Sequence, residues 1–347
     1  MIVEVIKDYA LFLAKTITIS LAIFLVLRGV ATILRHQRRA SPRKIRIKKL
    51  NRHYENLRDA IKDEMLSEHE WKKAAKERHK RRKAEKKKAK SGTEPEKKKV
   101  FVLSFKGDIL ASAVSSLREE VTAVLTVAKP SDEVVVRLES AGGTVNSYGL
   151  AASQLLRLKR QNIPLTVLVD KVAASGGYLM ACVADRILAA PFAVVGSIGV
   201  VSEVPNFNRL LKKHDIDYEL ITAGEYKRTL TLFGENTEKG RKKFIEQLED
   251  VHAIFKAFLK ENRAQVDTAA VATGEHWHGK RAIELKLVDE LMTSDDYLFA
   301  ASEKNDIYEV EYKIPETLRE RLISGLTQAL NQTLHSLWSR FEKQSFV

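Results

Sequence analysis

From Val100 onward the chain alternates short apolar runs, rich in β-branched residues, with longer stretches of helical spacing, and this alternation limits the folds open to it. Runs at 100–105, 133–138, 164–169, 187–190 and 218–222 read as strands, and stretches at 114–128, 147–160, 176–184 and 206–213 read as helices. Strands joined through helices lie parallel with right-handed crossovers, and both sheet faces are then covered. The sequence therefore predicts an α/β domain. In such sheets the chemistry gathers in loops at the carboxyl ends of strands. Two glycine-bearing loops are expected there: Ser140-Ala-Gly-Gly-Thr144 and Lys171-Val-Ala-Ala-Ser-Gly-Gly-Tyr178.

Ser175 falls between an apolar strand and a small-residue helix, with Gly176 and Gly177 behind it. Unpaired N–H groups at a helix start suit a developing oxyanion, and glycines admit a substrate backbone. Serine and glycine there are equally ordinary capping chemistry, so the stretch alone leaves both readings open. A nucleophilic serine also needs a base. His214 ends a helix, His252 sits within one, and His276-Trp-His278 lies in a turn without further ligands, so no metal or cofactor is expected. Lys227, in Ala223-Gly-Glu-Tyr-Lys-Arg-Thr229, is the other choice; a lysine can take a proton only if burial disfavours its charged form. Ser197 is a second serine in apolar surroundings, and Cys182 reads as a small core residue.

Upstream the chain changes character. Between residues 9 and 34 only Lys15 and Arg28 are charged, which predicts one uncleaved membrane-spanning helix of the required ~20 residues. Residues 28–99 hold 27 Lys and Arg against 10 Asp and Glu, whereas 100–347 hold 30 against 33. The basicity belongs to the linker, where anionic lipid head groups are the expected partner and nucleic acid is not. Leu50, Tyr54, Leu57, Ile61 and Met65 recur at helical spacing in it, and Ser67-Glu-His-Glu70 reads as a capping box. Apolar stripes at 237–263 and 317–341 read as amphipathic helices that pack in the core or between subunits.

Ser140-Ala-Gly-Gly, Ala174-Ser-Gly-Gly-Tyr178, Gly196-Ser-Ile-Gly-Val200 and Gly224-Glu-Tyr-Lys227, in that order, resemble the motifs of the S49 peptidases, the family of signal peptide peptidase A. The basic linker behind an N-terminal anchor resembles the inner-membrane branch of that family. The resemblance implies a ClpP/crotonase-like fold and a Ser/Lys dyad without a metal or cofactor. It makes Ser175 the nucleophile, Lys227 the general base, Ser197 the hydroxyl that orients the lysine, and Gly142, Gly143 and Gly176 the oxyanion residues. Ala141 and Lys286 depart from the pattern, standing where proline and glycine are usual. The implied organisation is an anchor (1–34), a basic helical linker (35–99), a peptidase domain (100–305) and a C-terminal amphipathic helix (306–347).

The expected function is a membrane-anchored serine endopeptidase acting on unfolded or signal-peptide-like segments as a homo-oligomer; the alternative is a non-hydrolytic membrane scaffold that keeps the fold. A bacterial inner membrane is the expected location. Arg28, Arg35, Arg38, Arg39, Arg43 and Lys44 follow the apolar core, which puts the catalytic side in the cytoplasm, whereas the resemblance implies the periplasm.

Overall fold

The computed structural model describes Arg28 and residues 45–313, apart from 68, 74–75, 78–79, 81–82 and 84–96. Apart from Arg28, the expected anchor at 9–34 lies outside the described residues, as does the expected C-terminal helix beyond residue 313. Residues 306–312, expected to belong to that helix, form a strand of the sheet instead, because they pair with the chain at 99–102 and 45–49. Among those described, no helix is long and apolar enough to cross a membrane.

Ten strands form one sheet among the described residues. Its main path runs β1 (Ile45–Lys49), β10 (Asp306–Tyr312), β2 (Lys99–Gly107), β3 (Glu133–Ser140), β4 (Leu165–Val169), β6 (Arg186–Ala189) and β9 (Glu290–Leu291). Only β1 is antiparallel to its neighbour on this path. The crossovers carry α2 (Val114–Leu125) between β2 and β3 and α3 (Val145–Arg160) between β3 and β4. Val134, Val135 and Val136 of β3 are all fully buried. Alternate residues serve opposite layers: Val134 and Val136 join Leu117 of α2 and Leu155 of α3, while Val135 joins Leu50 and Leu298 on the other face. This is the mixed α/β class that the alternation predicts.

A side branch leaves the main path at the carboxyl end of β3. There β5 (Val172–Ala174) pairs with Ser140 through Ala173, β7 (Val194–Gly196) lies parallel to β5, and β8 (His276–His278) runs antiparallel to β7. The loops that follow β3, β5 and β7 are thereby brought to one place.

The linker expectation is corrected in its middle. Residues 45–49 add β1 to the sheet edge, and α1 (Leu50–Met65) docks its first turn beneath β10 and α9 (Ser294–Lys304). Asn51 ties them together: its Nδ2 donates to Ser302 O and Asn305 O, and its Oδ1 accepts from Ile307 N. Leu50 is buried whereas Ile61 and Met65 are exposed, so only the start of the stripe is used. Half of the expected capping box forms: Glu70 Oε2 accepts from Ser67 N, and the Ser67 hydroxyl donates to the same carboxylate oxygen.

The strand expected at 218–222 does not form. After α5 (Asn208–Lys213) the chain runs to Thr237 without a regular element. Ile221 is 90% exposed there. The arm ends at α6 (Glu238–Asn262), capped by Thr237, whose side chain accepts from Gly240 N. On the predicted α6 stripe Phe255 and Leu259 are buried, and Phe244, Leu248 and Val251 are only half-buried. Lys286 adopts φ 60°, the left-handed region that glycine enters most easily. Arg263 braces it, donating to Lys286 O and, bidentate, to Asp289.

Glu120 of α2 is 4% exposed and accepts a hydrogen bond from Tyr312 N at the end of β10. Burial pushes its carboxyl up to about 7, opposed by the Tyr312 N–H and reinforced by Glu311. The folded chain thus holds this proton more tightly than the unfolded chain, where the carboxyl keeps its ordinary 4.5. Its contribution is intact below that value and is lost as pH rises through the folded pKa, a fall of about 3 kcal/mol. Glu120→Gln keeps the acceptor for Tyr312 N–H without the charge. Urea unfolding at pH 5 and pH 8 should therefore show a smaller loss of stability in the variant than in the wild type; equal losses would reject the assignment.

Candidate active site

Ser175 follows β5 and precedes α4 (Gly176–Ala181). Its backbone sits at φ 50°, ψ −120°, a combination that costs an L-residue about 1–3 kcal/mol and persists only when neighbours impose it. Here Ser175 N donates to Gly196 O at 2.8 Å, and Leu179 N donates to Ser175 O at 2.9 Å. The result is a half-buried serine mounted on a strained strand-to-helix turn, the arrangement that exposes a nucleophile's hydroxyl.

The loop after β3 presses on it. Gly142 has φ +94°, and a Cβ built there would lie 2.7 Å from Ser175 Cβ and 2.8 Å from both Ala174 O and Gly176 N. Gly143 lies as tightly against the backbone of Ile109, whose carbonyl accepts from Thr144 N. Only glycine fits either place. Gly142 N donates to Ser140 Oγ, so it is not free to meet an oxyanion. Among the described residues the Gly143 and Gly176 N–H groups have no acceptor, which makes these two the donors left from the three expected.

Ser197 follows β7 as Ser175 follows β5, and the register Ala174↔Gly196 sets the two serines side by side at adjacent strand ends. Ser197 is half-buried rather than buried, with φ 52° and its N–H donating to Glu275 O. Trp277 of β8 closes on Gly196: a Cβ there would lie 2.8 Å from the ring.

Lys227 makes no hydrogen bond to Ser175 or Ser197 among the described residues. It lies exposed on the arm between α5 and α6, and no hydrogen bond or ion pair joins its ammonium to the described residues. The expected burial fails because the arm has no layer over it. Its neighbours are tethered instead to the start of α6: Glu225 pairs with Lys239, and Lys243 lies over the Tyr226 ring at 5.4 Å. Ile216, Leu220 and Ile221 give the arm an exposed apolar surface.

No histidine among the described residues hydrogen-bonds to Ser175. His276 and His278 flank Trp277 in β8, and His252 lies within α6 as expected. Cys182 is fully buried, and burial pushes its thiol up to about 12, so it is inert packing as predicted. Sequence reasoning missed Tyr148, which lies in the 147–160 stretch read only as a helix. Its hydroxyl meets Ser140 Oγ at 2.5 Å beneath the glycine loop.

Comparison with known proteins places this geometry in context. The chain matches the family descriptions "Peptidase family S49 N-terminal" over residues 4–155 and "Peptidase family S49" over 157–308. It is 48% identical over 332 residues to the "Probable protease SohB" of Haemophilus influenzae, covering 92% of each chain. The proteins of the same name from two Buchnera aphidicola subspecies are similar too: 56% identical over 69% of this chain and 71% of the relative for the one from Acyrthosiphon pisum, and 47% identical over 96% and 97% for the one from Schizaphis graminum.

Proposed function

Because the chain belongs to peptidase family S49, in its SohB-type branch, we propose that Ser175 and Lys227 form a Ser/Lys dyad that hydrolyses peptide bonds in unfolded or membrane-derived segments. The observation that carries this reading is the strained Ser175 turn with Gly142 pressed on its Cβ. Neutral Lys227 Nζ takes the proton from Ser175 Oγ as the oxygen attacks the scissile carbonyl. The oxyanion is met by Gly143 and Gly176 N–H, and the protonated lysine then delivers its proton to the leaving amine. Ser197 accepts from the lysine amine and points its lone pair at Ser175.

Within one chain Lys227 is exposed, whereas a lysine serves as a base where burial disfavours its charged form. The exposed apolar side chains of the arm support an assembly in which a further copy covers it, so that one copy's Lys227 is buried beside a neighbour's Ser175. The fold is then of the ClpP/crotonase type, with the β5–β7–β8 branch lining the substrate groove.

Residues 9–34 act as a single-pass anchor in a bacterial inner membrane, and the basic linker lies against its anionic head groups. The charge bias puts the peptidase in the cytoplasm. Strong activity from alkaline phosphatase fused after Lys99 would put it in the periplasm instead. The activity itself is tested by incubating the full chain, in detergent, with unfolded casein. Fragments that accumulate with time support the peptidase; casein that is bound and recovered whole supports the non-hydrolytic scaffold.

A further inference from the structure

Tyr148 is fully buried at the start of α3, directly beneath the loop that presses on Ser175. Its hydroxyl donates to Asp108 O at 2.7 Å and lies 2.5 Å from Ser140 Oγ. Burial raises the phenol above its ordinary value, so it keeps its proton. That single proton goes to the Asp108 carbonyl, and Ser140 must therefore donate its own proton to the phenol oxygen. A lone pair of Ser140 Oγ then accepts Gly142 N–H at 3.0 Å. Donation thus runs one way, from Gly142 through Ser140 and Tyr148 to Asp108. It links the end of β3 to the chain just beyond β2.

The same ring supports the nucleophile. A Cβ on Gly176 would lie 2.4 Å from Tyr148 Cγ, so Gly176 rests on the face of the ring. One side chain consequently touches the residue after Ser175 and, through Ser140, the glycine that leans on Ser175. Both glycines with an unspent N–H adjoin this unit.

We propose that the Tyr148–Ser140 hydroxyl pair sets the Gly142–Gly143 loop against Ser175, making Tyr148 a positioning residue for acyl transfer. This rests on Ser175 being the nucleophile. The substrate does not touch Tyr148, so its loss shows in kcat and not in KM.

Tyr148→Phe keeps the ring beneath Gly176 and removes only the hydroxyl; Ser140→Ala removes the acceptor of Gly142 N–H. Both are made in the full chain and measured on unfolded casein, with active Ser175 counted by a fluorophosphonate label so that misfolded protein does not enter kcat. Each variant is expected to lose kcat by roughly 10- to 100-fold at unchanged KM, as a displaced reacting group does. The double variant is expected to lose no more than the worse single, because the two hydroxyls act as one unit. An unchanged kcat per labelled serine, or losses that multiply in the double variant, would overturn the proposal. A wild type with no turnover above a Ser175→Ala blank would overturn the nucleophile reading, and this inference with it.

Discussion

Ser175→Ala and Lys227→Met each lower hydrolysis of unfolded casein by roughly 10³-fold or more, and the double variant is no worse than either single, since nucleophile and base act as a unit. Met keeps the apolar stem of the lysine and deletes only the amine. Neither change touches a packed core position: Ser175 is half-buried and Lys227 exposed, so the fold survives both. The two inactive variants, mixed before assembly, recover activity if one copy's Lys227 serves a neighbour's Ser175. Sites that pair the intact serine of one variant with the intact lysine of the other are then complete. A mixture as dead as its parts refutes supply from a neighbour and requires the arm to fold back within one chain. Lys227→Met with more than a few per cent of wild-type activity would remove the lysine from the mechanism.

Gly142→Ala is the second large effect, a fall in kcat of roughly 10²- to 10³-fold, the size expected when an oxyanion site is spoiled. The new methyl would meet Ser175 Cβ at 2.7 Å and two backbone atoms at 2.8 Å, none of them the end of a flexible side chain. The loop must retreat, and φ +94° adds strain that alanine bears poorly. Gly149→Ala is the control, because nothing lies within 4 Å of the added atom and the position is helical. It should gain about 1 kcal/mol of stability and keep full activity. Activity retained in Gly142→Ala would mean that the loop does not lean on the reacting serine in the working enzyme.

Much of the architecture is local and therefore readable. The alternation of apolar runs with helical spacing follows from periods of 2 and 3.6 residues that each segment carries alone, and β2, β3, β4, α2 and α3 formed where it put them. The apolar run at 218–222 shows the limit of such reasoning. A strand exists only against another strand, and this run pairs with none among the described residues, so residues that look buried in the sequence stand in solvent in the single chain. Residues 45–65 show the converse: a basic composition reads as linker, yet Asn51 and a free sheet edge recruit them into the domain.

The site divides in the same way. The glycines and serines of the 140–144, 174–178 and 196–200 stretches are a property of the sequence, because backbone at positive φ or in close contact excludes most side chains wherever it occurs. That Ser175 and Ser197 stand side by side depends on the register Ala174↔Gly196. That Ser140, Tyr148 and Asp108 form one hydrogen-bonded chain depends on three segments meeting at the end of the sheet. Such contacts arise between residues far apart in the chain, where no short-range pattern records them. Tyr148 was one position of a helical stretch, and what its hydroxyl touches was decided by the tertiary structure alone.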